Sequence, residues 1–208
     1  MSKTHVKWWL GLTAALALAT LLGVRTTLSN SGVANAQAAK VRWDIIHLIA
    51  GDVSAGGVAS AKANDGSKIT LTGHGTFVAP GPGRSNAVTG GGTWETFDPS
   101  GGSTHTGTYS VTSLVDWHTA PGIPPSAITI DNIDNGAPSA GLAVLSIEYS
   151  GGDRGILVVG CHLVSTPDHP EVFEGITASK YNTDYWNREA PPADLSANVT
   201  LFHLIRNP

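Results

Sequence analysis

Residues 141–164 read GLAVLSIEYSGGDRGILVVGCHLV. Leu142, Val144, Ser146 and Glu148 alternate with Ala143, Leu145, Ile147 and Tyr149, a period of two that describes a strand and not a helix. Gly151-Gly152-Asp153 is a compact turn, after which an apolar run resumes at Gly155. That second run is apolar on both faces, as a central strand should be. Two strands joined by a tight turn are the unit from which the rest of the chain is built.

Working outward, short alternating segments broken by Gly, Pro, Asn and Asp recur, and no amphipathic helix of three turns is found. Strands are expected at Val41–Ala50, Val58–Ala63, Lys68–Ala79, Gly92–Phe97, Thr106–His118, Gly141–Ser150, Gly155–Val164, Val172–Ser179 and Val199–Arg206. Asn64-Asp65-Gly66 joins another hairpin, while residues 80–90 and 121–138 read as loops, and Pro191-Pro192 sets off the final strand. The expectation is one antiparallel all-β domain over residues 39–208, a closed or nearly closed barrel of about eight to nine strands, with a β-sandwich as the alternative.

Lys3 and Lys7 flank an apolar run from Trp8 to Val24, and Ala34-Asn35-Ala36 and Ala36-Gln37-Ala38 both fit a small-x-small cleavage pattern. Residues 1–38 therefore read as a signal peptide cut after Ala36 or Ala38, and the protein as secreted, periplasmic or cell-surface. A membrane is a partner only if that segment stays uncleaved. Without Lys3, Lys7 and Arg25, nine basic residues face sixteen acidic ones, a charge near −7. No basic cluster remains, which argues against nucleic acid as a partner. The single cysteine excludes an intramolecular disulfide, so the core must hold the fold.

Period two also assigns faces. Val41, Trp43, Ile45, His47 and Ile49 share one face, and Val199, Leu201, His203 and Ile205 share another. With both faces turned inward on neighbouring terminal strands, His47 and His203 are expected in one interior. Cys161 and His162 point to opposite sides of an extended chain, the wrong geometry for a Cys–His dyad. Cys161 joins Leu157, Val159 and Leu163 as a buried, inert thiol. His162 is either a third inward imidazole or a histidine of the outer layer, with Glu148 as its expected cross-hairpin partner. Satisfied core histidines are the ordinary reading of such a set. No metal or cofactor is assigned, and His47, His162 and His203 are the residues that would ligate a metal if one bound.

The segment VFEGITASKYNTDYWNRE at 172–189 is dense in aromatic and charged residues, and Tyr181, Tyr185 and Trp186 could line a ligand mouth or plug a barrel end. Thr70, Thr72, His74 and Thr76, and Thr106, Thr108, Ser110 and Thr112, form two hydroxyl-rich faces. Solvated strand faces are the usual source of that pattern, and a recognition plane is the functional alternative. His169 reads as exposed, and the sequon Asn198-Val199-Thr200 as a chance match.

With GLAVLSIEYS, RGILVVGCHL and VFEGITASKYNTDYWN, the chain resembles a group of uncharacterised exported bacterial all-β proteins. Its Gly/Thr-rich short strands more remotely resemble the small barrels of the allene oxide cyclase and dirigent type. That second resemblance implies a fold and carries over no site residue.

Two functions remain in view. One is an exported barrel that binds a small, largely apolar ligand in its interior, with catalysis on that ligand left open, and with His47, Glu148, His162, His203, Tyr181, Tyr185 and Trp186 as candidate ligand-binding residues. The other is a non-catalytic surface or carbohydrate-recognition module using the threonine faces, or a structural envelope protein.

Overall fold

A computed structural model describes residues 39–79, 87–120, 128, 130–133, 136–162, 173–181 and 184–205. The signal-peptide reading and His169 lie outside them. The described chain has no helix and forms one sheet of 13 strands, more than the eight or nine expected. They are β1 Ala39–Ile49, β2 Asp52–Ala55, β3 Ala59–Lys62, β4 Lys68–Leu71, β5 His74–Ala79, β6 Val88–Phe97, β7 Ser103–Ala120, β8 Ile130–Asp131, β9 Ala137–Tyr149, β10 Arg154–Cys161, β11 Gly175–Lys180, β12 Asp184–Arg188 and β13 Thr200–Ile205. The expected strand Lys68–Ala79 is two strands, parted at Gly73. There φ is +151°, and a Cβ would lie 2.3 Å from the Tyr109 hydroxyl and 2.7 Å from the Gly91 carbonyl oxygen. Short β2, β8 and β12 supply the rest of the difference. Every pairing is antiparallel except the parallel contact of β2 with β8.

The pairings close on themselves. One ring runs β7–β9–β10–β11–β12–β3–β4–β6 and back to β7. A second runs β7–β9–β13–β1–β5–β6 and shares the long strands β6, β7 and β9 with the first. The rings part at two forks. Along one edge of β6 the partner changes from β4 to β5, and along one edge of β9 it changes from β10 to β13.

Inside, the side chains stand in cross-strand rows. Leu145, Leu157, Ala178 and Trp186 form one, and Ala143, Val159 and Ile176 the next. All seven are buried in a single core cluster that also takes in Trp43, Phe77, Phe202 and Cys161. Each fully buried Leu, Ile, Val or Phe contributes roughly 1.5–3 kcal/mol, so the filled interior is the main source of stability. In the second ring Trp117 packs against Phe202 and Phe77, with ring centroids 4.7 and 5.1 Å apart. The end of the first ring is plugged by Trp94 and Tyr149 edge to face at 5.4 Å, with the Lys180 ammonium 5.1 Å from the Trp94 centroid.

The β9 fork exposes backbone donors that neither partner strand reaches, and Glu174 meets them. Its Oε2 accepts from the His162 N–H at 2.7 Å and its Oε1 from the Thr200 N–H at 2.6 Å. Burial pushes this carboxyl up to about 8 even though both N–H groups favour the ionised form. A second buried polar site lies on the outward face of β1 and β13. There Arg42 donates twice to Asp44, at 2.7 and 2.8 Å, and His203 Nε2 bonds Asp131 Oδ2 at 2.7 Å. Asp44 and His203 have no exposed surface, because β2, β8 and Ile133 add a further layer here.

Candidate functional site

The outer face of β7, β9, β10 and β11 carries a groove of about 540 Å³ lined by Thr112, Ser113, Ser146, Ile147, Glu148, Arg154, Gly155, Ile156, Ser179 and Tyr181. Its floor follows from register. Ser146 stands opposite Ile156, and Glu148 opposite Arg154, across the β9–β10 hairpin. Ser179 stands opposite Tyr185 on the next pair. Its upper wall follows from an irregularity, because β7 slips register between Val111 and Ser113 and again between Leu114 and Asp116. The first slip leaves Thr112 unpaired and re-aims the strand, as bulges beside binding sites commonly do. Thr112 Oγ1 then donates to the Ser146 carbonyl at 3.2 Å. Gly155 lets β11 come close, since a Cβ there would sit 1.8 Å from the Ser179 carbonyl oxygen. Ser179 Oγ accepts from the Ile156 N–H at 3.0 Å, which fixes its rotamer.

The charges around the groove form two ion pairs. Arg154 Nε lies 3.4 Å from Glu148, and Lys180 Nζ 2.9 Å from Asp153. Asp153 also accepts the phenolic hydrogen of Tyr181. That bond, followed by the bond from Lys180, holds the Asp153 carboxyl below the usual carboxylate range. The same bond pushes the Tyr181 phenol up. The result is a surface of hydroxyls and balanced charge with one aromatic ring at its rim. It presents donors and acceptors in both senses, the complement of a polyhydroxylated ligand.

Glu148 and Tyr181 meet in this groove, and Tyr185 stands beside it, 58% exposed. The other candidates lie elsewhere. Trp186 points into the core, 5% exposed. His162 follows the far end of β10, while Glu148 pairs with Arg154 at the near end, so Glu148 is not its cross-hairpin partner. Their separation in register is eight residues, roughly 26 Å of strand. His47 and His203 do sit on adjacent strands, but not in one interior. His203 is opposite Arg42, and the face of Val41, Trp43 and Ile45 is shared with Leu204, Phe202 and Thr200. His203 therefore points to the other side from His47 and about five residues away along β1, roughly 17 Å. Among the described residues no three His, Cys, Asp or Glu side chains are grouped to hold a metal ion.

Cys161 is fully buried with Leu157 and Val159 on the inward face of β10. Asn198, first residue of the sequon, is buried too. Its Oδ1 accepts from the Ser60 N–H at 2.7 Å and its Nδ2 donates to the Ala190 carbonyl at 3.2 Å.

Ser146, Asp153, Arg154 and Ser179 were not singled out as binding residues by sequence, and Thr112 stood out only as a member of a hydroxyl-rich face. A signal for two of them exists: the Gly151-Gly152-Asp153 turn, folded as a tight hairpin, sets Arg154 opposite Glu148. The bulge that raises Thr112 has no such signature. No family model, curated protein or solved structure matches the chain.

Proposed function

We propose that this chain is an exported, non-catalytic recognition module that binds carbohydrate in the outer groove, with the ringed sheet acting as a filled barrel that holds the groove rigid. The observation that carries this reading is the contrast between the two sides of one wall. On the inside, Ala143, Leu145, Leu157 and Val159 close the space against each other with no exposed surface. On the outside, the same strands β9 and β10 line a polar groove of about 540 Å³. Ligand sites usually fall between about 300 and 1,000 Å³. An apolar guest inside would have to displace packed core side chains, whereas a polyol outside finds hydroxyls already placed.

Binding of the purified protein to an array of soluble oligosaccharides tests this. One class should bind, and Thr112→Trp, which fills the groove from an exposed position, should abolish binding without moving the melting temperature. Wild type that binds no oligosaccharide, or Thr112→Trp that binds as wild type does, refutes the reading. An apolar molecule retained in native mass spectrometry would instead favour an interior ligand.

A further inference from the structure

Tyr181 combines three features that a surface tyrosine does not ordinarily have together. Its backbone is in the left-handed region at φ +54°, which residues with a Cβ adopt rarely. It is 57% exposed, so core packing does not hold it there. Its hydroxyl is nevertheless fixed, because Asp153 accepts its hydrogen, and Asp153 is in turn held by Lys180 at 2.9 Å. Lys180 is anchored at the plugged end of the first ring, over Trp94 and Tyr149, 5.1 and 5.9 Å from the two centroids. The Tyr181 N–H adds a bond to the Arg154 carbonyl at 2.7 Å. An exposed aromatic ring is thus locked at the rim of a hydroxyl-lined groove by a chain of contacts that ends in the core. Unusual backbone held in place by its surroundings is a frequent mark of a ligand site.

We propose that Tyr181 is the stacking platform for a neutral, glucose-type pyranose, and that Asp153 and Lys180 are the positioning residues that hold its ring. This inference rests on the carbohydrate reading of the groove and names the ligand within it. Such a sugar carries its hydroxyls around its edge and presents apolar C–H faces. It can lay one face on an aromatic ring while its edge meets Ser146, Ser179 and Glu148. The ligand is neutral because the groove offers no unbalanced charge: Glu148 is paired with Arg154, and Asp153 with Lys180. A rigid ring loses little freedom when it binds, which is where such a platform adds affinity. Tyr185, opposite Ser179 and also exposed, stands where a neighbouring sugar unit would lie.

The test uses isothermal titration of the full protein with a hexamer of β-1,4-linked glucose and with a hexamer of galacturonic acid. The glucose hexamer should bind with a Kd that is nearly constant between about 50 and 500 mM salt. Tyr181→Ala should weaken binding at least about tenfold, or 1.4 kcal/mol. Tyr181→Phe, which keeps the ring and loses the bond to Asp153, and Asp153→Asn should each weaken it by a smaller factor, with melting temperatures unchanged. If Tyr181→Ala binds as wild type does, the stacking role is overturned while the groove reading stands. A preference for the acidic hexamer with steep salt dependence overturns the neutral ligand. If Thr112→Trp, the groove-filling variant, leaves glucose-hexamer binding intact, the groove reading and this inference fall together.

Discussion

Replacing Glu174 with glutamine should make the stability of the protein far less dependent on pH. The native carboxyl titrates at about 8 because it is fully buried, whereas its ordinary value is 4.5. Between these values the folded state keeps a proton that the unfolded state has released. Stability therefore falls as pH rises, by about 1.4 kcal/mol per unit from this group. The contribution is complete below the unfolded value and is lost as pH passes the folded one. Across the window the loss amounts to several kcal/mol, a large share of a typical domain's stability. Glutamine does not titrate, but it has a single acceptor oxygen, so it can satisfy only one of the two N–H groups and turns its own amide hydrogens toward the other. The variant should lie about 1–3 kcal/mol below wild type near pH 5, where one N–H has lost its acceptor, and should draw level with it or pass it near pH 8. Alanine is the contrasting control, since it leaves the N–H groups of His162 and Thr200 buried without acceptors. That should cost roughly 2–6 kcal/mol near pH 5, a deficit that narrows as pH rises because alanine does not titrate either. Urea unfolding followed by tryptophan fluorescence, at several pH values, measures all three. Parallel stability curves for wild type and Glu174→Gln would refute the reasoning.

His203→Ala and Asp131→Ala should each destabilise by about 1–3 kcal/mol, and the double variant by clearly less than the sum, because the fully buried His203 bonds the partly exposed Asp131 through Nε2 at 2.7 Å. Additive losses in urea unfolding would show that the contact contributes nothing. Cys161 should resist thiol reagents in the native protein and react fully in denaturant, as expected of a sulfur with no exposed surface. Rapid native labelling would place it outside the core.

The hairpin of β9 and β10 was legible in sequence because one face of β9 is apolar and the other mixed, so alternation shows the inward side directly. The first and last strands were legible as strands but not as faces. In β13, Leu201, Phe202 and His203 are all buried, and in β1 so are Asp44, Ile45 and Ile46. Where both sides are covered, alternation carries no sign, and the inward face depends on register with distant strands. The layer that covers His203 comes from β8, two residues that pair with β2 in a region that reads as a loop. The groove was half legible. Glu148, Tyr181 and Tyr185 stood out by type, but the β7 bulge and the Asp153–Lys180 support are matters of tertiary geometry. His162 and Glu148 were joined by type and parted by an eight-residue offset.

The last strand of the chain lies between its first strand and β9. Until residues 200–205 are available, β1 and β9 each keep an open edge, and the second ring stays unfinished however much of the chain has been made. A polypeptide wired this way cannot complete its fold piece by piece from the N-terminus. The second ring must wait for residues 200–205, and a chain without them exposes two unpaired strand edges to its neighbours.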